Sequence, residues 1–157
     1  MSRVVAIDEY TIPYRVPDVH RVLLDTGHYA LWWPAPFRFR AESSPAKIGA
    51  RVEVRLGRWM RWVATVREIR VERIDLDIGE GTWAGTAHFG LREVFEGTAV
   101  LYRMDVAPQP LWLRLALQRI DARARQTRRL KPVFVALASR LEETGAERVP
   151  EPTGPNT

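Results

Sequence analysis

The sequence predicts an α+β domain, an antiparallel sheet of about seven strands covered by one long C-terminal helix, with two short helices after the first strand. Three observations carry this reading. Apolar and polar residues alternate with a period of two through most of the stretch from Phe37 to Val106. Beyond Pro108 and Pro110 the apolar residues recur instead at steps of three and four. Between the first strand and the long alternating stretch, prolines and a glycine mark off two short helical pieces.

The elements follow in order. Val4 to Tyr14 reads as a strand, with Tyr10, Ile12 and Tyr14 on one face. Pro17 opens a helix, where its missing N–H costs nothing, and Val19, Val22 and Leu23 give that helix an apolar side. Asp25-Thr26-Gly27 breaks it. His28 to Trp33 makes one or two turns before Pro34 and Pro36 stop it. Phe37 and Phe39 alternate with Arg38 and Arg40, and Ala50, Val52, Val54 and Leu56 alternate with Arg51, Glu53 and Arg55. Gly57 turns the chain, and Trp62, Ala64 and Val66 continue the apolar set. Ile69 and Val71 resume it with changed parity, which predicts a bulge near Arg67-Glu68. Ile74, Leu76 and Ile78 form the next apolar face. After a turn at Gly79-Glu80-Gly81 come Trp83, Gly85, Ala87, Phe89 and Leu91. After Glu96-Gly97 come Val100, Tyr102, Met104 and Val106.

In the C-terminal helix the stripe is Leu113, Leu117, Ile120, Ala124, Thr127, Leu130, Phe134, Leu137 and Leu141. It runs straight through Pro132, so either a bend or a break into two helices is expected there. Gly145 ends the helix. A single domain over 1–146 and a loose tail over 147–157, with three prolines, is the expected organisation.

Composition narrows the chemistry. The 157 residues contain no cysteine, which removes disulfides, thiolate metal sites and thiol nucleophiles. No apolar run approaches the about 18 residues of a membrane span, and Met1 to Asp8 lacks an export pattern. A cytoplasmic location is the simplest expectation. The three histidines, His20, His28 and His88, share no metal-like spacing, and neither metal nor cofactor is expected. No nucleophile elbow occurs, and parity turns Glu9, His88, Arg103 and Asp105 outward.

The net charge of +5 is concentrated. Between Gln109 and Lys131 stand seven basic residues and one acid, Asp121. A solvated helix face is the ordinary reading. Contact with an anionic membrane surface or nucleic acid is the alternative, and nucleic acid is disfavoured because aromatic interleaving and a recognition-helix motif are both missing from the segment.

Local wording adds a resemblance. Tyr14 to Val22 resembles the strand end and helix start of the START-like, or SRPBCC, superfamily. Asp25 through Tyr29 to Trp32-Trp33-Pro34 is similar to its D…W-W-P stretch. Ile48 to Val52 resembles its G-x-x-V start of a strand, and Gly97 to Tyr102 its G-T-x-V-x-Y hairpin. The nearest subgroup is the polyketide cyclase/dehydrase and lipid-transport family. The glycine-rich loop of the pollen-allergen branch is missing. The resemblance implies a helix-grip fold, a curved sheet wrapped around the C-terminal helix, with a cavity between them for an apolar or amphipathic small molecule. It does not set an oligomeric state.

The inward faces then give a candidate lining. Trp62, Trp83, Phe89, Tyr102 and Met104 come from the sheet, Tyr14 from the first strand, and Trp33 from the short helices. Leu117, Ile120 and Ala124 come from the long helix. Gly85 and Ala87 are small residues on an otherwise bulky face, which leaves room for a ligand. Tyr14 and Tyr102 are the polar groups placed to orient it. Binding or transport is the expected function, a cyclase or dehydratase is the alternative, and no catalytic residue is assigned.

Overall fold

The computed structural model describes residues 3–34, 36–118 and 131–150. Seven antiparallel strands form one curled sheet in the order β1-β7-β6-β5-β4-β3-β2. The strands are β1 (Val4–Ile12), β2 (Phe37–Ala41), β3 (Arg51–Leu56), β4 (Met60–Arg70), β5 (Arg73–Gly79), β6 (Trp83–Val94) and β7 (Gly97–Pro108). Consecutive strands from β2 to β7 pair as hairpins, and β1 adds to the far edge beside β7. The first two strands in the chain therefore sit at opposite edges. The crossing between them is made by α1 (Val16–Leu24), a 3₁₀ turn at Thr26–His28, and α2 (Tyr29–Trp32).

The alternation expected of the strands is realised, because the pleat sends successive side chains to opposite faces. The register shift falls between Val66 and Glu68, at the parity change in the sequence. The first strand is shorter than expected. Pairing of β1 with β7 ends at Ile12–Thr98, since Pro13 has no N–H to continue the ladder. Tyr14 thus lies beyond β1, where it forms an isolated bridge with Arg148. Where the expected tail begins, the Val149 N–H donates to the Pro13 carbonyl at 2.8 Å. Residues 151–157 lie outside the described residues.

The C-terminal region contains α3 (Leu111–Gln118) and α4 (Lys131–Glu143). Leu113, Phe134, Leu137 and Leu141 from the expected stripe are buried. The junction at 119–130, and with it the question of a bent or broken helix, lies outside the described residues. Phe134, Leu137 and Leu141 are almost wholly shielded from solvent, packed with Val19, Val22 and Leu23 of α1 and Ile12, Leu91 and Val100 of the sheet. Tyr10 of β1 stacks on Phe134 at 5.9 Å between ring centroids. Among the described residues, no helix is long and apolar enough to cross a membrane.

Candidate functional site

The concave face of the sheet is built in rows that follow the strand register. One row runs Asp8–Tyr102–Phe89–Ile74, the next Ala6–Met104–Ala87–Leu76–Val66, and the third Val4–Val106–Gly85–Ile78–Ala64–Val52. The first row borders the core under α4. Most residues of the other two belong to a second apolar cluster, which also includes Trp62, Val54 and the half-buried Trp83, Met60, Leu56 and Phe37, while Val66 packs with Ala46 and Ala50 in a third. Gly85 and Ala87, successive on one face of β6, make a low floor there, flanked by Met104 and Val106 of β7 and by Leu76 and Ile78 of β5. Trp83, Tyr102 and Met104 stand taller around it, with Trp62 in the same cluster.

Gly85 is small for a reason the sequence does not show. A Cβ at this position would lie 2.1 Å from the Asp105 carbonyl oxygen of β7. Close approach of two backbones fixes the glycine, and the bare floor is its consequence.

The structure divides the expected lining. Trp62, Trp83, Ala87, Tyr102 and Met104 come together in the second cluster, with Gly85 on its floor. Phe89 and Trp33 join the core under α4, and Phe89 touches Tyr102 at 5.0 Å across the boundary. Tyr14 is placed away from the floor: it is buried in the α4 core, and its carbonyl accepts the Thr98 hydroxyl at 2.7 Å. Of the helix residues, Leu117 lies on α3 with its side chain outside the described residues, as are Ile120 and Ala124 entirely.

Three features were missed in the sequence. Asp8 shares the parity of Tyr10 and Ile12, faces Tyr102 across the ladder, and is half-buried. Parity alone was the signal for it. Tyr29, Trp32 and Trp33 form an aromatic knot with Phe37 and Phe39, with centroids 5.1 to 6.3 Å apart. The Tyr29 hydroxyl donates to the Leu23 carbonyl, and burial pushes that phenol well up. The indole N–H groups of Trp32 and Trp33 are buried without an acceptor among the described residues. At Tyr102, burial pushes the phenol up to about 12, so it is a neutral donor across the physiological range.

Elsewhere the polar groups hold structure. Asp105 pairs with Arg3 at 2.7 Å and Glu9 with Arg92 at 3.3 Å. His20 Nε2 lies 2.7 Å from the Arg70 carbonyl oxygen. Asp25 accepts from Ser44 Oγ at 2.6 Å and sits 2.7 Å from His28 Nδ1. A catalytic triad needs the imidazole in the middle, and here the carboxylate occupies it. Among the described residues, no cluster of histidines and carboxylates has the makings of a metal site. An open depression of about 570 Å³ lies on the convex face, where Glu9, Arg73, His88, Gly90 and Arg92 line it. Its walls are charged and solvated, unlike the concave floor.

No family model matches the chain, and no curated protein matches it either. Solved structures do. The solution structure of KanY protein superposes with a TM-score of 0.69 at 13% identity, covering 90% of this chain and 99% of that one. The crystal structure of TTHA0849 from Thermus thermophilus gives 0.68 at 14%, covering 92% and 100%. Norcoclaurine synthase from Thalictrum flavum, in complex with dopamine and hydroxybenzaldehyde, gives 0.65 at 10%, covering 93% and 90%. This chain has the START-like helix-grip fold. At these identities the likeness concerns the fold alone. Within the START-like frame, the low floor lies on the concave wall of the sheet and the α4 core closes one part of that wall.

Proposed function

We propose that the protein binds an apolar or amphipathic small molecule against the low floor of the concave wall. The carrying observation is the floor itself, Gly85 and Ala87 on β6, with Trp83, Tyr102 and Met104 around it and Trp62 in the same cluster. Flat apolar contact with aromatic walls is what such a surface offers, and burying the contact area is the driving force. The neutral Tyr102 phenol adds a polar point, which favours a ligand with carbonyl, ether or hydroxyl oxygens. The Thalictrum flavum enzyme, whose complex contains dopamine and hydroxybenzaldehyde, supports the same fold holding small aromatic molecules.

The test is saturable binding of a hydrophobic fluorescent dye, followed by displacement with fatty acids and polycyclic aromatic ketones. One dye per chain, displaced by a member of either class, is the expected result. Ala87→Phe, which raises the floor, abolishes binding while the circular dichroism stays native. If that variant does not fold, quenching of Trp62 and Trp83 emission in the unaltered protein reports the same contact. Unsaturable dye uptake without Trp quenching rules the reading out.

A second reading, a cyclase or dehydratase of a polyketide-like substrate, is favoured by one observation. Asp8 and Tyr102 face each other on adjacent strands. In that reaction Asp8 takes a proton from the carbon beside a substrate carbonyl while Tyr102 donates a hydrogen bond to the carbonyl oxygen. Asp8→Asn then keeps ligand affinity and loses turnover; a variant that retains full turnover removes Asp8 from the reaction.

A further inference from the structure

The end of the sheet beside α3 exposes several large apolar side chains. Leu111, Trp112 and Leu115 of α3 are 68%, 56% and 52% exposed. Spacings of three and four place all three on one side of the helix, while Leu113 turns inward and anchors it. The Arg114 Nε donates to the Pro108 carbonyl at 3.0 Å, which fixes the helix start on the end of β7.

A second aromatic stands at the same end. Trp59, in the turn between β3 and β4, is 80% exposed. Thr82 ties this turn to the α3 start. Its N–H donates to the Arg61 carbonyl at 2.7 Å, its hydroxyl accepts the Arg61 N–H at 3.0 Å, and its carbonyl accepts the Gln109 N–H at 2.8 Å. Trp59 is two residues from Arg61, and Leu111 is two residues from Gln109. The two exposed tryptophans are thus carried by segments joined through one buried threonine.

Positive charge stands beside this apolar group. Arg58 and Arg114 are exposed beside it. In the sequence, the stretch that follows α3, from Arg119 to Lys131, has six basic residues and one acid. A large exposed apolar face next to strong positive charge fits a surface that is apolar beneath and anionic on top. Tryptophan favours that boundary, because its ring is apolar and its N–H remains able to reach water.

We propose that this end of the molecule, Trp59 together with Leu111, Trp112 and Leu115, docks on the interface of an anionic lipid bilayer. The docking is peripheral: the helix lies in the headgroup region, and Arg58 and Arg114 meet the anionic headgroups. The proposal is independent of the ligand reading, since it concerns an outer surface.

Co-sedimentation with phosphatidylcholine vesicles, with and without phosphatidylglycerol, tests it. Anionic lipid raises the affinity by about tenfold or more, and added salt reverses the gain. Trp112→Ser with Leu115→Ser lowers vesicle binding to background. These side chains are exposed, so the melting temperature and dye binding stay unchanged. Trp59→Ser gives a partial loss, and Trp59 emission shifts to the blue on binding. Three results overturn the proposal: equal binding to neutral and anionic vesicles, unchanged binding of the double variant, or a concentration-dependent dimer that the double variant dissolves. The last would make this face a contact between two copies of the chain.

Discussion

The two parts of the concave wall use the same kind of residues to opposite ends. Under α4, large side chains interlock: Phe134, Leu137, Leu141, Val100 and Ile12 are nearly inaccessible. Beyond the Asp8–Tyr102–Phe89 row, small residues on β6 make the floor, and Trp83 and Met104, with Tyr102 of the row itself, keep part of their surface open. Both parts are apolar and both come from period-two strands. What separates them is side-chain size at facing positions. Interlocked packing gives stability, while a low floor with tall surroundings leaves surface for another molecule.

The largest expected effect falls in the closed part. Phe134→Ala removes a ring stacked on Tyr10 and leaves a void no neighbour can fill, at a cost of about 3–5 kcal/mol in denaturant unfolding. Dye binding by the fraction still folded stays intact. If that variant loses dye affinity in proportion to stability, the two parts are one unit and the division is wrong. Thr98→Val comes next. It removes the hydroxyl donor to the buried Tyr14 carbonyl and costs about 1–3 kcal/mol, again without effect on ligand. Met104→Ala reverses the pattern. Its side chain is half-buried, so the stability loss is about 2 kcal/mol or less, while the ligand loses a wall contact and binding weakens about tenfold.

Much of this wall was legible in the sequence because a pleat forces alternation, and Trp62, Trp83, Ala87, Tyr102 and Met104 do fall in one cluster. Tyr14 lies in the core under α4 for a local reason: apolar parity continues past Pro13, but the ladder cannot. The smallness of Gly85 was legible and its cause was not, since a backbone approach between β6 and β7 exists only once the register is set. The same applies to strand order. Nothing local in Val4–Ile12 says that it pairs with β7 at one edge while Phe37–Ala41 takes the other. Asp8 is legible by parity, whereas the other acids of this ladder, Glu9 and Asp105, form surface ion pairs.

The smallest effect concerns the latch that holds the aromatic knot at the border between the two parts. Ser44 accepts the Gly27 N–H at 3.1 Å and donates to Asp25, and the His28 ring meets the same carboxylate. Burial pushes the Asp25 carboxyl up, but the hydrogen bonds from Ser44 and His28 outweigh it and hold the group below its usual value. A carboxyl lowered in the folded state stabilises the fold above its unfolded pKa of about 3.9, and the contribution is lost as pH falls through the folded value. Ser44→Ala removes one of those hydrogen bonds and moves the Asp25 value back up. The variant is therefore slightly less stable than the unaltered protein at neutral pH, and the gap closes on acidification as both carboxyls become protonated. Unfolding curves across that range, with an NMR titration of Asp25, read both quantities. A gap that persists at acid pH assigns the cost to the lost Gly27 contact. Reduced ligand affinity in Ser44→Ala at neutral pH would show that the knot of Trp32 and Trp33 belongs to the binding wall; unchanged affinity would place it with the closed core.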